Sequence, residues 1–161
     1  MRRAARLGLL TAPVLLLAAS VGAGQGSAQS PAMPGVAHPA RARVDYMLKC
    51  QGCHHPDGGG NLVNTPPLRG EVAKFLAVPG GREFLGRVPG VASTDLDDVR
   101  LAELLNWTLY TFDRQHLPAG FQPYSSGELA KLRKAPLRLE RAEMRAGLVR
   151  AIANHQKRAK N

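Results

Sequence analysis

The chain has 161 residues, a formal net charge of +10 and 21% charged residues. A chain of this length has room for one small domain and a tail, which excludes an assembly of several domains. The first 28 residues carry three Arg, residues 29–127 balance nine Lys or Arg against nine Asp or Glu, and residues 128–161 hold ten against three. The basic character therefore belongs to the ends of the chain, and above all to its C-terminal tail.

The N-terminal stretch predicts a secretory signal peptide over residues 1–28. Three Arg lie in the first six residues, an apolar run covers residues 7–23, and the small residues 26–28 offer a cleavage site. An uncleaved anchor is the alternative, although Pro13 in so short an apolar run favours cleavage. In both cases we expect the rest of the chain to be exported. Residues 29–39 contain three prolines without helical periodicity, which predicts a linker in which His38 is solvated.

The motif Cys50-Gln51-Gly52-Cys53-His54 contains both cysteines of the chain. This spacing is the c-type haem attachment pattern, in which two thioethers hold the porphyrin and the histidine binds its iron. One helical turn brings both sulfurs to the same edge of the ring. A single disulfide, a thioredoxin-like dithiol and a zinc site are the alternatives. The dithiol expects a βαβ pattern and the zinc site a second pair of ligands, and neither pattern is found.

A helical pattern runs from Arg41 into this motif, with an apolar face formed by Val44, Met47 and Leu48. Tyr46 stands four residues before the first cysteine and Ala42 four residues before Tyr46. In these positions the chain resembles small monohaem c-type cytochromes of class I. The resemblance implies an all-α, cytochrome c-like domain over residues 40–117, with one covalent haem c attached through Cys50 and Cys53 and ligated by His54.

The segment after the motif continues the resemblance. A glycine-rich turn over residues 58–60 follows, and the run 65–70 matches the Pro-x-Leu-x-Gly pattern of the family. By that match, the carbonyl of Pro66 accepts a hydrogen bond from His54 and orients its ring. A turn that merely contains two prolines is the alternative. We expect His55 to face solvent.

Three further helices are predicted before the tail. A short helix begins near Glu71, a break follows at Pro79-Gly80-Gly81, and a second helix extends to Val88. Hydroxyl and acidic residues over 93–98 predict the cap of a long apolar helix that contains Trp107 and reaches Phe112. The resemblance implies that this helix crosses the first one, with Tyr46 and Trp107 in contact.

The sixth iron ligand departs from the family pattern. In these cytochromes it is normally a methionine in a Met-Pro pair, and Val88 stands in that position here. Met144 in the tail and His116 after the long helix are the candidate replacements. An open distal side, without a protein ligand, is the third possibility.

The tail, residues 118–161, predicts a basic helical extension. Ser125 to Glu128 predicts a capping box. From Leu139 onwards, apolar residues at 142, 146, 149, 152 and 153 form a helical stripe flanked by arginines at 138, 141, 145 and 150. Such a helix packs on its own domain, docks on an acidic partner, or lies on an anionic membrane surface. Nucleic acid is not expected as a partner of an exported haem protein.

The function predicted from the sequence is electron transfer to or from a periplasmic dehydrogenase or respiratory complex, as a carrier rather than an enzyme. A haem protein whose open distal side binds a small gas or peroxide is the second hypothesis. The third hypothesis is an assembly or scaffold protein in which the haem serves mainly to stabilise the structure.

Overall fold

Seven α-helices and two 3₁₀ helices make up the fold of residues 31–61 and 63–160, which are the residues that the computed structural model describes. The α-helices are α1 (Pro39–Lys49), α2 (Gln51–His54), α3 (Gly81–Arg87), α4 (Pro89–Ala92), α5 (Asp98–Asp113), α6 (Ser126–Leu132) and α7 (Arg141–Arg158), and the 3₁₀ helices span Val72–Ala77 and Arg114–His116. The described residues contain no strand, which confirms the all-α prediction. None of their helices is long and apolar enough to cross a membrane. The predicted signal peptide lies outside them.

The crossing of α1 and α5 forms the centre of the core. Tyr46 on α1 is 1% exposed, and its ring centroid lies 5.4 Å from that of Trp107 on α5. The predicted aromatic pair is therefore confirmed. Asp97 caps α5, because its side chain accepts a hydrogen bond from the Arg100 amide at 2.9 Å. This cap confirms the predicted start of the long helix.

The helix predicted to lead into the motif is confirmed as α1. The residues whose spacing indicated it, Val44, Met47 and Leu48, are nevertheless 50%, 48% and 69% exposed. The buried face of the helix consists of Ala42, Asp45 and Tyr46. Asp45 is 1% exposed and is paired with the Arg100 guanidinium of α5. A carboxylate can be buried where a partner compensates for its desolvation. That partner comes from another helix, and the periodicity of α1 alone does not reveal it.

The end of α5 is joined to the first 3₁₀ helix through Asp113, which is 2% exposed. One carboxylate oxygen accepts the Ala73 amide at 2.8 Å, and the other lies 2.5 Å from Nδ1 of His116. His116, one of the candidate sixth ligands, is thus engaged at the C-terminal end of α5.

Glu103 on α5 holds the segment that precedes α1. One carboxylate oxygen accepts the Ala37 amide at 3.1 Å and lies 3.2 Å from His38, while the other accepts Arg41 at 2.6 Å. We call these four residues the Glu103 cluster. His38 is 61% exposed, as a solvated residue would be, but it is also a partner of this carboxylate.

The tail packs on the helices that precede it. Tyr124, Leu129 and Leu137 are 3%, 0% and 1% exposed. Ser125 accepts the Glu128 amide at 3.2 Å, so the serine half of the predicted capping box is confirmed. The Glu128 carboxylate is paired with Arg82 at 2.6 Å instead of returning a hydrogen bond to the cap. The helix predicted in the tail is confirmed as α7, which buries Leu148 and Ile152 against the core. Of the stripe only Ile152 is buried, and the members left exposed are Leu139, Ala142, Ala146, Val149 and Ala153.

Candidate functional site

Both cysteines and His54 lie on one helical turn directly after α1. The amides of Cys53 and His54 donate to the Cys50 carbonyl at 3.1 and 2.9 Å. Both thiols are free, Cys50 half-buried and Cys53 exposed. Burial, with smaller contributions from Cys53 and Asp45, raises the pKa of the Cys50 thiol to about 11. The turn therefore presents two reduced thiols and an imidazole to the same region.

The His54 ring is poised to act as a neutral ligand. Burial lowers its pKa, while the backbone carbonyl of Pro66 opposes that effect and the neighbouring His55 adds to it. Its Nδ1 atom is buried and has no hydrogen-bond partner of good geometry among the described residues. A neutral imidazole binds metal through one nitrogen, and the other nitrogen then donates to a nearby acceptor. The Pro66 carbonyl is the acceptor placed to receive that proton.

The loop over residues 57–70 sets the position of Pro66. Gly60 has a φ of +64°, and a Cβ there would lie 2.3 Å from the Thr65 carbonyl oxygen and 2.7 Å from that of Pro66. The Gly60 amide donates to the His54 carbonyl at 3.1 Å. Only glycine allows this approach without strain, so Gly60 links the backbone of His54 to the Pro66 carbonyl.

Tyr46 fixes the chain reversal that follows the motif. Its hydroxyl donates to the His55 carbonyl at 2.6 Å, and His55 has a φ of +64°, which is uncommon for a residue other than glycine. Burial is the main cause that raises the pKa of this phenol to about 12, so it stays a donor at neutral pH. The His55 side chain is exposed, as predicted.

A cleft of about 360 Å³ opens beside the attachment turn. Lys49, the residue before Cys50, forms one wall, and the other wall is the segment from Pro89 to Asp95. Lys49 bridges the two walls by its salt bridge to Asp95, at 2.7 Å. A larger groove, of about 590 Å³, is lined by residues 32–37, α5 and Tyr124 and includes no residue of the attachment motif. Neither cavity is lined by Cys50, Cys53 or His54, so the site is defined by the attachment turn itself.

The residues present fit a c-type haem. Two free thiols suit thioether formation, and the orphaned buried nitrogen of His54 suits a ring whose other nitrogen binds iron. Cys50 itself packs against the apolar core, as do Leu68, Leu76 and Val88. When bound, the haem supplies a one-electron Fe(III)/Fe(II) couple. The fold and this site together define a small all-α protein of the covalent-haem class.

Comparisons with known proteins identify the family. The chain is 34% identical over 107 residues to cytochrome c-552 of Thermus thermophilus, covering 55% of this chain and 82% of the relative. It is also 34% identical over 107 residues to cytochrome c-552 of a named strain of the same organism, Thermus thermophilus ATCC 27634, of which it covers 72%. No protein-family profile matches the chain, and no solved structure gives a significant match. The chain belongs to the small c-type cytochromes, the family of cytochrome c-552.

Membership of this family establishes three coarse properties. The chain carries covalently bound haem c, takes part in electron transfer, and has a redox partner. The identities of the haem-binding residues remain predictions. The structure brings the four predicted residues together, since Cys50, Cys53 and His54 share one turn and the Pro66 carbonyl lies against Gly60, whose amide donates to the His54 carbonyl.

The candidate sixth ligands lie on different elements. Met144 sits on α7, half-buried against the core, and His116 is bound to Asp113. Sequence reasoning missed three features of the site: the constraint at Gly60, the Tyr46 hydrogen bond to His55 and the Lys49–Asp95 bridge. Only a glycine-rich turn and an aromatic at a family position pointed to the first two, and nothing local pointed to the third.

Proposed function

We propose that this chain is an exported, periplasmic electron carrier in which Cys50 and Cys53 attach the haem and His54 binds its iron. The observation that carries the proposal is the His54 ring, whose Nδ1 is buried without a hydrogen-bond partner among the described residues and which shares one helical turn with two free thiols. A tethered porphyrin with a fixed proximal ligand suits repeated one-electron transfer, because its ligands stay in place when the charge of the iron changes.

The attachment can be tested on denaturing gels stained for haem. The wild-type chain keeps its haem after denaturation, because thioethers survive conditions that remove coordinate bonds. A C50S/C53S variant loses the stain, whereas H54A retains it and changes the spectrum of the native protein instead. Equal stain in the C50S/C53S variant and the wild type contradicts the assignment.

We propose further that the carrier exchanges electrons with an acidic site of a dehydrogenase or respiratory complex. We call the basic side chains of the last segment the basic surface: Arg138, Arg141, Arg150, Lys157, Arg158 and Lys160, which are exposed, and Arg145, which is half-buried. Within the described residues, none of them lies within salt-bridge distance of a carboxylate. Unpaired surface charge of one sign accelerates the encounter with a partner of the opposite sign.

The basic surface could instead bind an anionic membrane. Helices that lie in a membrane interface present bulky apolar residues there. The exposed stripe of α7 offers mainly alanines, with Val149 41% exposed and Leu139, just before the helix, 99% exposed. The composition of the stripe therefore favours the acidic protein. Absence of binding to vesicles of anionic lipid at physiological salt is the expected result.

The docking proposal is best tested by neutralising charges, because deleting residues 128–161 would remove Leu129 and Leu137 from the core. R141Q/R150Q removes two charges from the basic surface, and K131Q/K134Q removes two exposed charges from α6 and the turn after it. We expect the first variant to slow reduction by the partner and to flatten its dependence on salt more than the second. Equal effects would show that only net charge matters.

A second function, binding of a small gas or peroxide, is supported by Val88. Valine cannot ligate iron, so the position at which the family usually carries its sixth ligand supplies none here. This hypothesis predicts a high-spin ferric spectrum and a ferrous spectrum that shifts with carbon monoxide. A low-spin spectrum that is unaffected by carbon monoxide would exclude it and would support a sixth protein ligand.

A further inference from the structure

A buried carboxylate stands on the helix that leads into the attachment turn. Asp45 on α1 is 1% exposed and precedes Cys50 by five residues. The Cys50 amide donates to the Tyr46 carbonyl at 2.9 Å, so the helical geometry of α1 extends to the first cysteine. At about 1.5 Å of rise per residue, Asp45 and Cys50 are roughly 7.5 Å apart along the helix axis. The carboxylate therefore lies close to a sulfur atom to which the proposed haem is joined.

The cation that compensates this carboxylate is less buried than the carboxylate itself. Nε of Arg100 donates to one oxygen of Asp45 at 3.2 Å, and a terminal nitrogen of the same guanidinium donates to the other oxygen. The Arg100 side chain is 39% exposed, against 1% for Asp45. Water and salt screen a partly exposed charge more strongly than a buried one. The pair is neutral as a whole, but its negative member dominates towards the interior.

The field of Asp45 reaches the first cysteine in spite of this pairing. Burial and Cys53 are the larger causes of the raised pKa of the Cys50 thiol, and the Asp45 carboxylate raises it further. A negative charge has this effect because it disfavours the thiolate. A porphyrin joined to the Cys50 sulfur is exposed to the same negative field.

We propose that Asp45 lowers the reduction potential of the haem by stabilising ferric iron, and that Arg100 limits this effect. Ferric haem carries one more positive charge than ferrous haem, so a fixed negative charge nearby favours the oxidised form. The electron that interconverts the two forms comes from the redox partner. The inference rests on the proposed haem attachment at Cys50. It goes beyond that proposal because it assigns control of the potential to a charge that does not ligate the iron.

The first test compares the reduction potentials of D45N and E103Q in the haem-loaded protein. Each variant removes one negative charge from the crossing of α1 and α5, and each carboxylate is buried and paired with an arginine. The partner of Glu103 is Arg41, which precedes Cys50 by nine residues, or about 14 Å along the axis. We expect D45N to raise the potential, so that the ferrous-to-ferric ratio at a fixed applied potential increases roughly two-fold or more. The increase in E103Q should be clearly smaller, and equal shifts in the two variants would overturn the inference.

A second comparison separates a buried charge from an exposed one. Asp95 is 75% exposed and pairs with Lys49, the residue directly before Cys50. Salt screens exposed charges much more than buried ones, so any shift in D95N should disappear at high ionic strength. The shift in D45N should persist there. Loss of the D45N shift at high salt would contradict the action of a buried charge.

Conservative variants distinguish the charge of Asp45 from its role in packing. D45E keeps the negative charge but adds a methylene group to a packed position, so it should disturb stability and leave the potential closer to wild type than D45N does. A D45E potential that matches that of D45N would overturn the inference. If D45N does not fold because Arg100 has lost its partner, D45N/R100Q removes both charges and should still raise the potential. An unchanged potential in a folded variant without the Asp45 charge would also overturn it.

Haem staining after denaturation reports the attachment separately. Retained stain in C50S/C53S would show that the assignment of Cys50 is wrong, whatever the potential of D45N. Failure of the attachment proposal is therefore distinguishable from failure of the role of Asp45.

Discussion

Replacement of Gly60 by alanine tests whether the loop backbone positions the Pro66 carbonyl against His54. The residue has a φ of +64°, and placing a residue with a side chain in this left-handed region costs about 1–2 kcal/mol. The new Cβ would also lie 2.3 Å from the Thr65 carbonyl oxygen and 2.7 Å from that of Pro66, so the backbone must move. Overpacking of this kind costs about 1–3 kcal/mol more. The expected total loss of stability is thus about 2–5 kcal/mol.

Substitutions at two other glycines distinguish the cost of backbone strain from the cost of steric contact. Gly70 has a φ of +68°, and a Cβ added there would have nothing within 4 Å, so G70A should lose only the strain component, about 1–2 kcal/mol. Gly59 has no positive φ, and its added Cβ would meet only the Asp57 side chain, at 3.0 Å. That carboxylate can move, so G59A should cost less than about 1 kcal/mol.

The assay is denaturant unfolding of the haem-loaded protein, together with its reduction potential. We expect G60A alone to change the potential, because displacement of the Pro66 carbonyl alters the hydrogen bonding of the iron ligand. G70A and G59A should leave the potential as it is in the wild type. If G60A is no less stable than G70A and has an unchanged potential, the proposed coupling from Gly60 through Pro66 to His54 is refuted.

Three further predictions concern single side chains. Y46F removes the hydrogen bond to the His55 carbonyl but keeps the ring against Trp107, so urea unfolding should show a loss of about 1 kcal/mol, and no loss would contradict that role. The pKa of Glu103 is lowered: burial raises it, but hydrogen bonds within the Glu103 cluster outweigh burial. Its ionised form therefore stabilises the folded state above its unfolded pKa of about 4.3. The stability advantage of wild type over E103Q should shrink as the pH falls below that value. An advantage independent of pH would contradict the predicted direction of the pH dependence. V88M should slow carbon monoxide binding and raise the reduction potential if residue 88 faces the iron, whereas identical kinetics would place it elsewhere.

Features that depend on local backbone geometry were predictable from the sequence. The attachment motif needs one helical turn, the caps at Asp97 and Ser125 need an oxygen next to free amides, and the break before α3 needs a glycine such as Gly80, with a φ of +80°. Each is encoded within a few consecutive residues. The Tyr46–Trp107 contact was also predicted, but through the resemblance to a family rather than through periodicity.

The tertiary structure decided which helical faces are buried. Leu48 is 69% exposed and Asp45 only 1% exposed, because an arginine 55 residues away neutralises that carboxylate. On α7, contact with the first 3₁₀ helix and α3 selected Leu148 over the stripe that the sequence suggested. The hydrogen bonds of Arg133 arise in the same way, since the guanidinium donates to backbone carbonyls 37–41 residues distant along the chain. The burial energy of a side chain depends on what covers it, and that covering surface comes from segments that local patterns do not specify.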